Sequence, residues 1–218
     1  MKRIFWEMKG FTTVEILVAA LFGMIVMAAL YGFFRDQLFH LIAQEVKTAT
    51  LEDARGGLDL MARELRNAGA FPVAIPSTDT TCAKDGSGNP KKIVAASASY
   101  IQIQSDTEGN GNCSDTGENV TYTYVSTANS STDPCPGKRI TRNGFCLVAN
   151  VVIPSGSEFL TYYQAGSTTA LTHPISDLTT IKRIKITFSV QLTNPNPYTR
   201  SANPHISSTL SSSVEFRN

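Results

Sequence analysis

Three groups of residues in this 218-residue chain have types and spacings that could do chemistry. The first is a carboxylate heading an apolar run: Glu15 stands four residues after Phe11, and from Ile16 to Phe34 nineteen residues carry no charge. A charge at the centre of a membrane helix costs about 2.5–3.5 kcal/mol on insertion scales, so such a carboxylate needs a partner. The second is the set of four cysteines, Cys82, Cys113, Cys135 and Cys146, which lacks the C-x-x-C spacing of zinc or dithiol redox sites. In an oxidising compartment these are two disulfides. Three pairings are open. Cys82 with Cys113 and Cys135 with Cys146 is the favoured one, the second bridge enclosing the turn signals Pro136-Gly137 and Asn143-Gly144. The third group is Asp106, Glu108 and Asn110, oxygen ligands at alternate positions followed by Gly111, as at the start of a calcium loop. The closing bidentate glutamate is missing from the twelfth position, which is Gly117, with Glu118 one residue late. Asp, Asn and Gly also make ordinary hairpin loops, so calcium is a candidate cofactor with one required ligand out of place.

Other side chains argue for less. His40, His173 and His205 have no neighbouring pattern of nucleophile, base or metal ligand, and nothing calls for an enzyme. Nineteen Lys and Arg against 18 Asp and Glu leave a net charge of +1, which gives no bulk attraction for nucleic acid. Lys84, Lys91, Lys92, Lys138 and Arg139 could form a basic patch for DNA, but scattered loop lysines read as solvated. The tyrosines of Val120-Thr121-Tyr122-Thr123-Tyr124 read as cross-strand packing.

The element that must carry Glu15 is a long helix. From Phe11 to Phe34 it would extend roughly 36 Å at 1.5 Å per residue, enough to cross a hydrocarbon core of about 30 Å. Lys2, Arg3 and Lys9 against Glu7 leave +2 on the leading flank, which keeps that flank cytoplasmic and exports the rest. A cleaved secretory signal fits poorly, because the apolar run exceeds the h-region of about 7–15 residues and no A-x-A site follows. Beyond the span, Leu51, Ala54, Leu58, Met61, Leu65 and Ala68 recur at steps of three and four, one face of an amphipathic helix. Glu52, Asp53, Arg55, Asp59, Arg63, Glu64 and Arg66 are assigned to its wet face. Gly56-Gly57 is a predicted bend or point of melting, and Gly69 with Pro72 the stop.

Lys9-Gly10-Phe11-Thr12-Thr13-Val14-Glu15-Ile16-Leu17-Val18-Ala19 joins a basic leader, a glycine, an aromatic, a glutamate and a long apolar helix. It resembles the processing site of type IV prepilins and type II secretion pseudopilins. The resemblance implies that a prepilin peptidase cuts after Gly10 and methylates the new N-terminal residue, Phe11. It also implies that Glu15 pairs with the α-amine of a neighbouring subunit, so that no lone charge stays among packed apolar helices. A second match supports the first: Leu51 to Gly69, together with Val214-Glu215-Phe216-Arg217-Asn218, is similar to PilW-type minor pilins and the related J-type minor pseudopilins. That match implies a subunit that primes a pilus and sits near its tip, and the presence of Glu15 places it below the tip subunit.

After Phe71 the helical period gives way to alternation. Strands are predicted at Tyr100–Gln104, Val120–Val125, Phe145–Ile153, Phe159–Gln164, Ile181–Leu192 and Leu210–Arg217, with long polar loops between them. The expected fold is α+β and type IV pilin-like, a long helix packed on an antiparallel sheet. Its expected organisation is a leader (1–10), a membrane and filament-core helix (11–34), an amphipathic continuation (35–70) and a disulfide-containing β-rich periplasmic domain (71–218). Expected partners are the prepilin peptidase, other minor pilins and the major pilin through the helix, and the inner membrane before assembly. The pilus or cell surface is the final location. A secretion pseudopilin and a filament-displayed adhesin or DNA-binding module are the alternative readings.

Overall fold

The computed structural model describes residues 11–76, 78–129, 135–194, 196–197 and 200–216. The leader with Gly10, and Arg217 and Asn218 of the terminal match, lie outside them. One helix, α1 (Thr13–Asn67), runs for 55 residues without a break, roughly 80 Å at 1.5 Å per residue. It ends where expected: Ala68 caps it, Gly69 takes φ 81°, and the Gly69 N–H turns to the Gln104 carbonyl at 3.0 Å. The predicted local melting at Gly56-Gly57 is absent, since the helix continues through both residues. Gly57 is buried against Leu147 and Val148, so its missing side chain provides a close approach.

The strands form two antiparallel sheets. Strands β1 (Ile93–Ala96), β2 (Tyr100–Gln104), β3 (Asn119–Asn129), β4 (Gly137–Arg142) and β5 (Phe145–Val148) follow one another as a five-stranded meander. The second sheet contains β6 (Val151–Val152), β7 (Leu160–Tyr163), β8 (Arg183–Thr193) and β9 (His205–Glu215). There β8 is central, with β9 paired along all of one edge while β6 and β7 share the other. The predicted single strand Phe145–Ile153 is therefore two strands in two sheets. Asn150, at φ 54°, turns the chain between them, a conformation asparagine tolerates better than most residues. The hairpin β4–β5 turns on Asn143-Gly144, both at positive φ, as a two-residue turn requires. Strands β1 and β4 are additional to those predicted, and β9 begins five residues before the predicted Leu210.

Ala54, Leu58, Met61, Ala62 and Leu65 of α1 enter one core with Ile101, Val120, Tyr122, Ile140, Ile184, Ile186, Phe188 and Val214. At about 1.5–3 kcal/mol for each fully buried aliphatic or aromatic side chain, this stripe seats the distal part of the helix on the sheets. Strand β9 lies alongside it in the same direction. Val46 and His205 line one cavity at the lower end, whereas at the upper end Lys92 spans the two, its ammonium 5.4 Å from the Phe216 ring and its side chain against Gly69.

Candidate functional site: the free N-terminal half of the helix

The first turn of α1 is built by Thr12. Its backbone is extended (φ −77°, ψ 149°), its carbonyl accepts from Glu15 N–H and Ile16 N–H, and its Oγ1 accepts from Glu15 N–H at 3.2 Å. Thr12-x-x-Glu15 is thus an N-terminal capping pattern, a local signal that sequence reasoning passed over. Phe11 and Thr12 precede the helix, and Thr12 is extended. Phe11 and Glu15 are both exposed, and among the described residues no cation pairs with the Glu15 carboxylate. Its place in the first turn suits the positive end of the helix dipole.

From Val14 to Phe34 no side chain touches the globular domain closely enough to be buried, and the stretch is long and apolar enough to cross a membrane. Polar side chains resume at Arg35 and Asp36, the latter 3.4 Å from His40 one turn on in an exposed pair. Leu38, Leu41 and Ile42 continue the apolar stripe below the domain, Val46 reaches its lower edge, and all four are exposed. Burial begins only with Ala54.

Where the helix meets the sheets, the structure corrects the assignment of Glu64 to the wet face. Arg142 grips the Glu64 carboxylate with two nitrogens, Nε to Oε2 at 3.1 Å and Nη2 to Oε1 at 2.9 Å, and the Tyr122 hydroxyl donates to Oε2. Burial, and after it the Glu64 hydrogen bond, push the Tyr122 hydroxyl well above the ordinary tyrosine range. The Glu64 hydrogen bond raises Arg142. Glu64 is three residues after Met61 and four before Ala68, so the helical spacing itself puts it beside the buried stripe.

The calcium candidate resolves differently. Asp106 is fully buried, and its carboxylate accepts backbone N–H groups from its own loop: Gly109 at 2.7 Å, Asn110 at 3.1 Å and Gly111 at 2.9 Å. Those oxygens face donors, the reverse of what a cation needs. Glu108 and Asn110 are exposed, and the Asn110 amide binds Asp115. Glu118 Oε1 likewise accepts N–H groups, from Thr107 and Glu108. Among the described residues no group of three or more His, Cys, Asp or Glu is placed to hold a metal ion.

Cys82 is bonded to Cys113 and Cys135 to Cys146, with Cα separations of 4.9 and 5.8 Å. The first bridge fastens the Asp106 loop to the segment before β1, where Cys113 N–H also donates to Thr81 Oγ1. The second joins the start of β4 to β5. Of the basic residues, Lys92 is half-buried. Desolvation, and then the charge of Lys182, lower its proton affinity. His173 lies edge-on to Tyr162 and 3.5 Å from Glu158. Comparison with protein-family models, curated proteins and solved structures returns no match.

Proposed function

We propose that this chain is a minor pilin that primes assembly of a type IV pilus and enters the filament near its tip. The observation that carries the reading is the Glu15 carboxylate, which pairs with no cation among the described residues, at the start of a continuous helix whose residues before Thr50 lie outside the domain core. Beyond the helix-dipole interaction of the first turn, worth about 0.3–1 kcal/mol, a helix that only anchored a domain has no use for that carboxylate. In a bundle of such helices it pairs with the α-amine of Phe11 from a neighbour, once a prepilin peptidase has cut after Gly10 and methylated that amine. Before assembly the helix holds the chain in the inner membrane, with the domain in the periplasm and both disulfides formed there. The domain then contacts other minor subunits, and the helix contacts both these and the major pilin.

The test is Glu15→Ala expressed beside the wild-type partner subunits. Cleavage and membrane insertion should persist, since removing a charge makes the helix more apolar. Recovery in sheared filaments should fall about tenfold or more, because an unpaired amine in an apolar bundle costs a few kcal/mol. Normal recovery and normal filament number would refute the assembly role of Glu15.

A further inference from the structure

Strand β9 is the outer strand of its sheet, and its hydrogen-bonding parity can be read from the bonds at its two ends. Phe216 N–H donates to the Lys182 carbonyl, and Asn194 N–H to that of Pro204, each one step beyond the Arg183↔Glu215 to Thr193↔His205 ladder. In an antiparallel pair this alternation makes the even-numbered residues of β9 bond to β8. The opposite edge of β8 agrees, since Thr187 N–H and Gln191 N–H turn away from β9 to Phe159 and Asn150. The odd-numbered residues His205, Ser207, Thr209, Ser211, Ser213 and Glu215 therefore direct their N–H and C=O groups outward, and these six are also the exposed ones. Among the described residues nothing hydrogen-bonds to those outward groups.

Proteins usually guard such an edge with charge, proline, a bulge or a covering element. Between Ile206 and Val214 there is no charge and no proline, and the eleven-pair register with β8 has no bulge. Only another extended backbone presents donors and acceptors at the spacing needed to satisfy the row.

The direction of β9 decides whose backbone that is. Antiparallel pairing of two copies would set His205 against Glu215 of the second chain. However, β9 runs with α1, so the two helices would then point in opposite directions and could not both leave one membrane face. Parallel pairing aligns the helices but brings Glu215 beside Glu215, where like charges repel. We propose that the free edge of β9 takes up an extended strand of a different polypeptide, uncharged where it faces Ile206 to Val214 and carrying a basic residue beside Glu215. This inference rests on α1 as a membrane anchor and not on the filament.

Hydrogen exchange tests it on the full chain, monomeric in detergent and in native membranes that contain its normal neighbours. In detergent the even-numbered amides of β9 should be protected, and those of Ser207, Thr209, Ser211 and Ser213 should exchange fast. In native membranes the odd-numbered amides should slow by about tenfold or more. Ser211→Pro removes only an outward donor and should abolish that slowing while the even-numbered amides stay protected; Ser211→Ala should keep it. Odd amides that exchange equally fast in both settings overturn the proposal, as does slowing that survives Ser211→Pro. Protection that accompanies a homodimer of the purified chain in detergent also overturns it, and this outcome separates failure of the anchor reading from failure of the edge.

Discussion

Gly57 of α1 lies so close to Val148 of β5 that a Cβ on Gly57 would stand 2.5 Å from Val148 Cγ2. Its neighbour Gly56 has nothing within 4 Å of the same construction. Gly57→Ala should therefore force helix and sheet apart and lower stability by about 1–3 kcal/mol, the usual cost of overpacking. Gly56→Ala should raise stability by roughly 0.5–1 kcal/mol, through a better helix former at an open site. Thermal unfolding of the two variants checks the contrast. Equal effects would mean that the two glycines share one role as a hinge.

The Tyr122–Glu64–Arg142 cluster predicts both a mutational cost and a pH dependence. Arg142→Leu leaves a half-buried carboxylate with the tyrosine alone and should cost about 1–3 kcal/mol. Because Tyr122 ionises at higher pH in the folded chain than in the unfolded one, at about pH 10, its contribution is complete below that pH and is lost as pH rises through and beyond it. Buried Tyr162 acts in the same sense. Tyr122→Phe should flatten the decline in stability above pH 10 without abolishing it. An unchanged alkaline profile would contradict this role for the hydroxyl.

Asp106 is predicted to hold its loop by accepting N–H groups. Asp106→Asn keeps one acceptor oxygen and turns donors toward donors, so it should destabilise by about 1–3 kcal/mol. Added calcium and added chelator should leave the unfolding temperature of the wild-type chain unchanged. A rise with calcium would restore the loop as a cation site.

The disulfides should differ in worth. Their separations of 31 and 11 residues correspond on the loop-closure expression to roughly 3.7 and 2.8 kcal/mol. Paired Cys→Ser variants, Cys82 with Cys113 and Cys135 with Cys146, should rank in that order in denaturant unfolding. The reverse order would show that the Asp106 loop is ordered without its bridge.

The features that were legible in the sequence are those in which one period governs a long segment. The stripe from Leu51 to Ala68 and the alternation of Ile184, Ile186, Phe188 and Val190 both lie where their spacing puts them, because burial of one face decides each. Asn150 was not legible: an asparagine inside an apolar run gives no sign that its φ is positive and that the strand changes sheet there. Gly57 reads as a weakness along the helix, and only the proximity of Val148 turns it into a contact surface. Oxygen spacing at Asp106 cannot distinguish a carboxylate facing an ion from one facing backbone N–H groups. In the candidate site, Thr12 was legible as the head of a Thr-x-x-Glu capping pattern, and the geometry of the first turn bears that pattern out.

The mass of the mature N-terminus tests the account most directly. The chain, purified from cells with an active prepilin peptidase, should lack residues 1–10 and begin with N-methylated Phe11. A chain that still begins at Met1, or one cut elsewhere along the apolar helix, would contradict the proposal that this is a filament subunit.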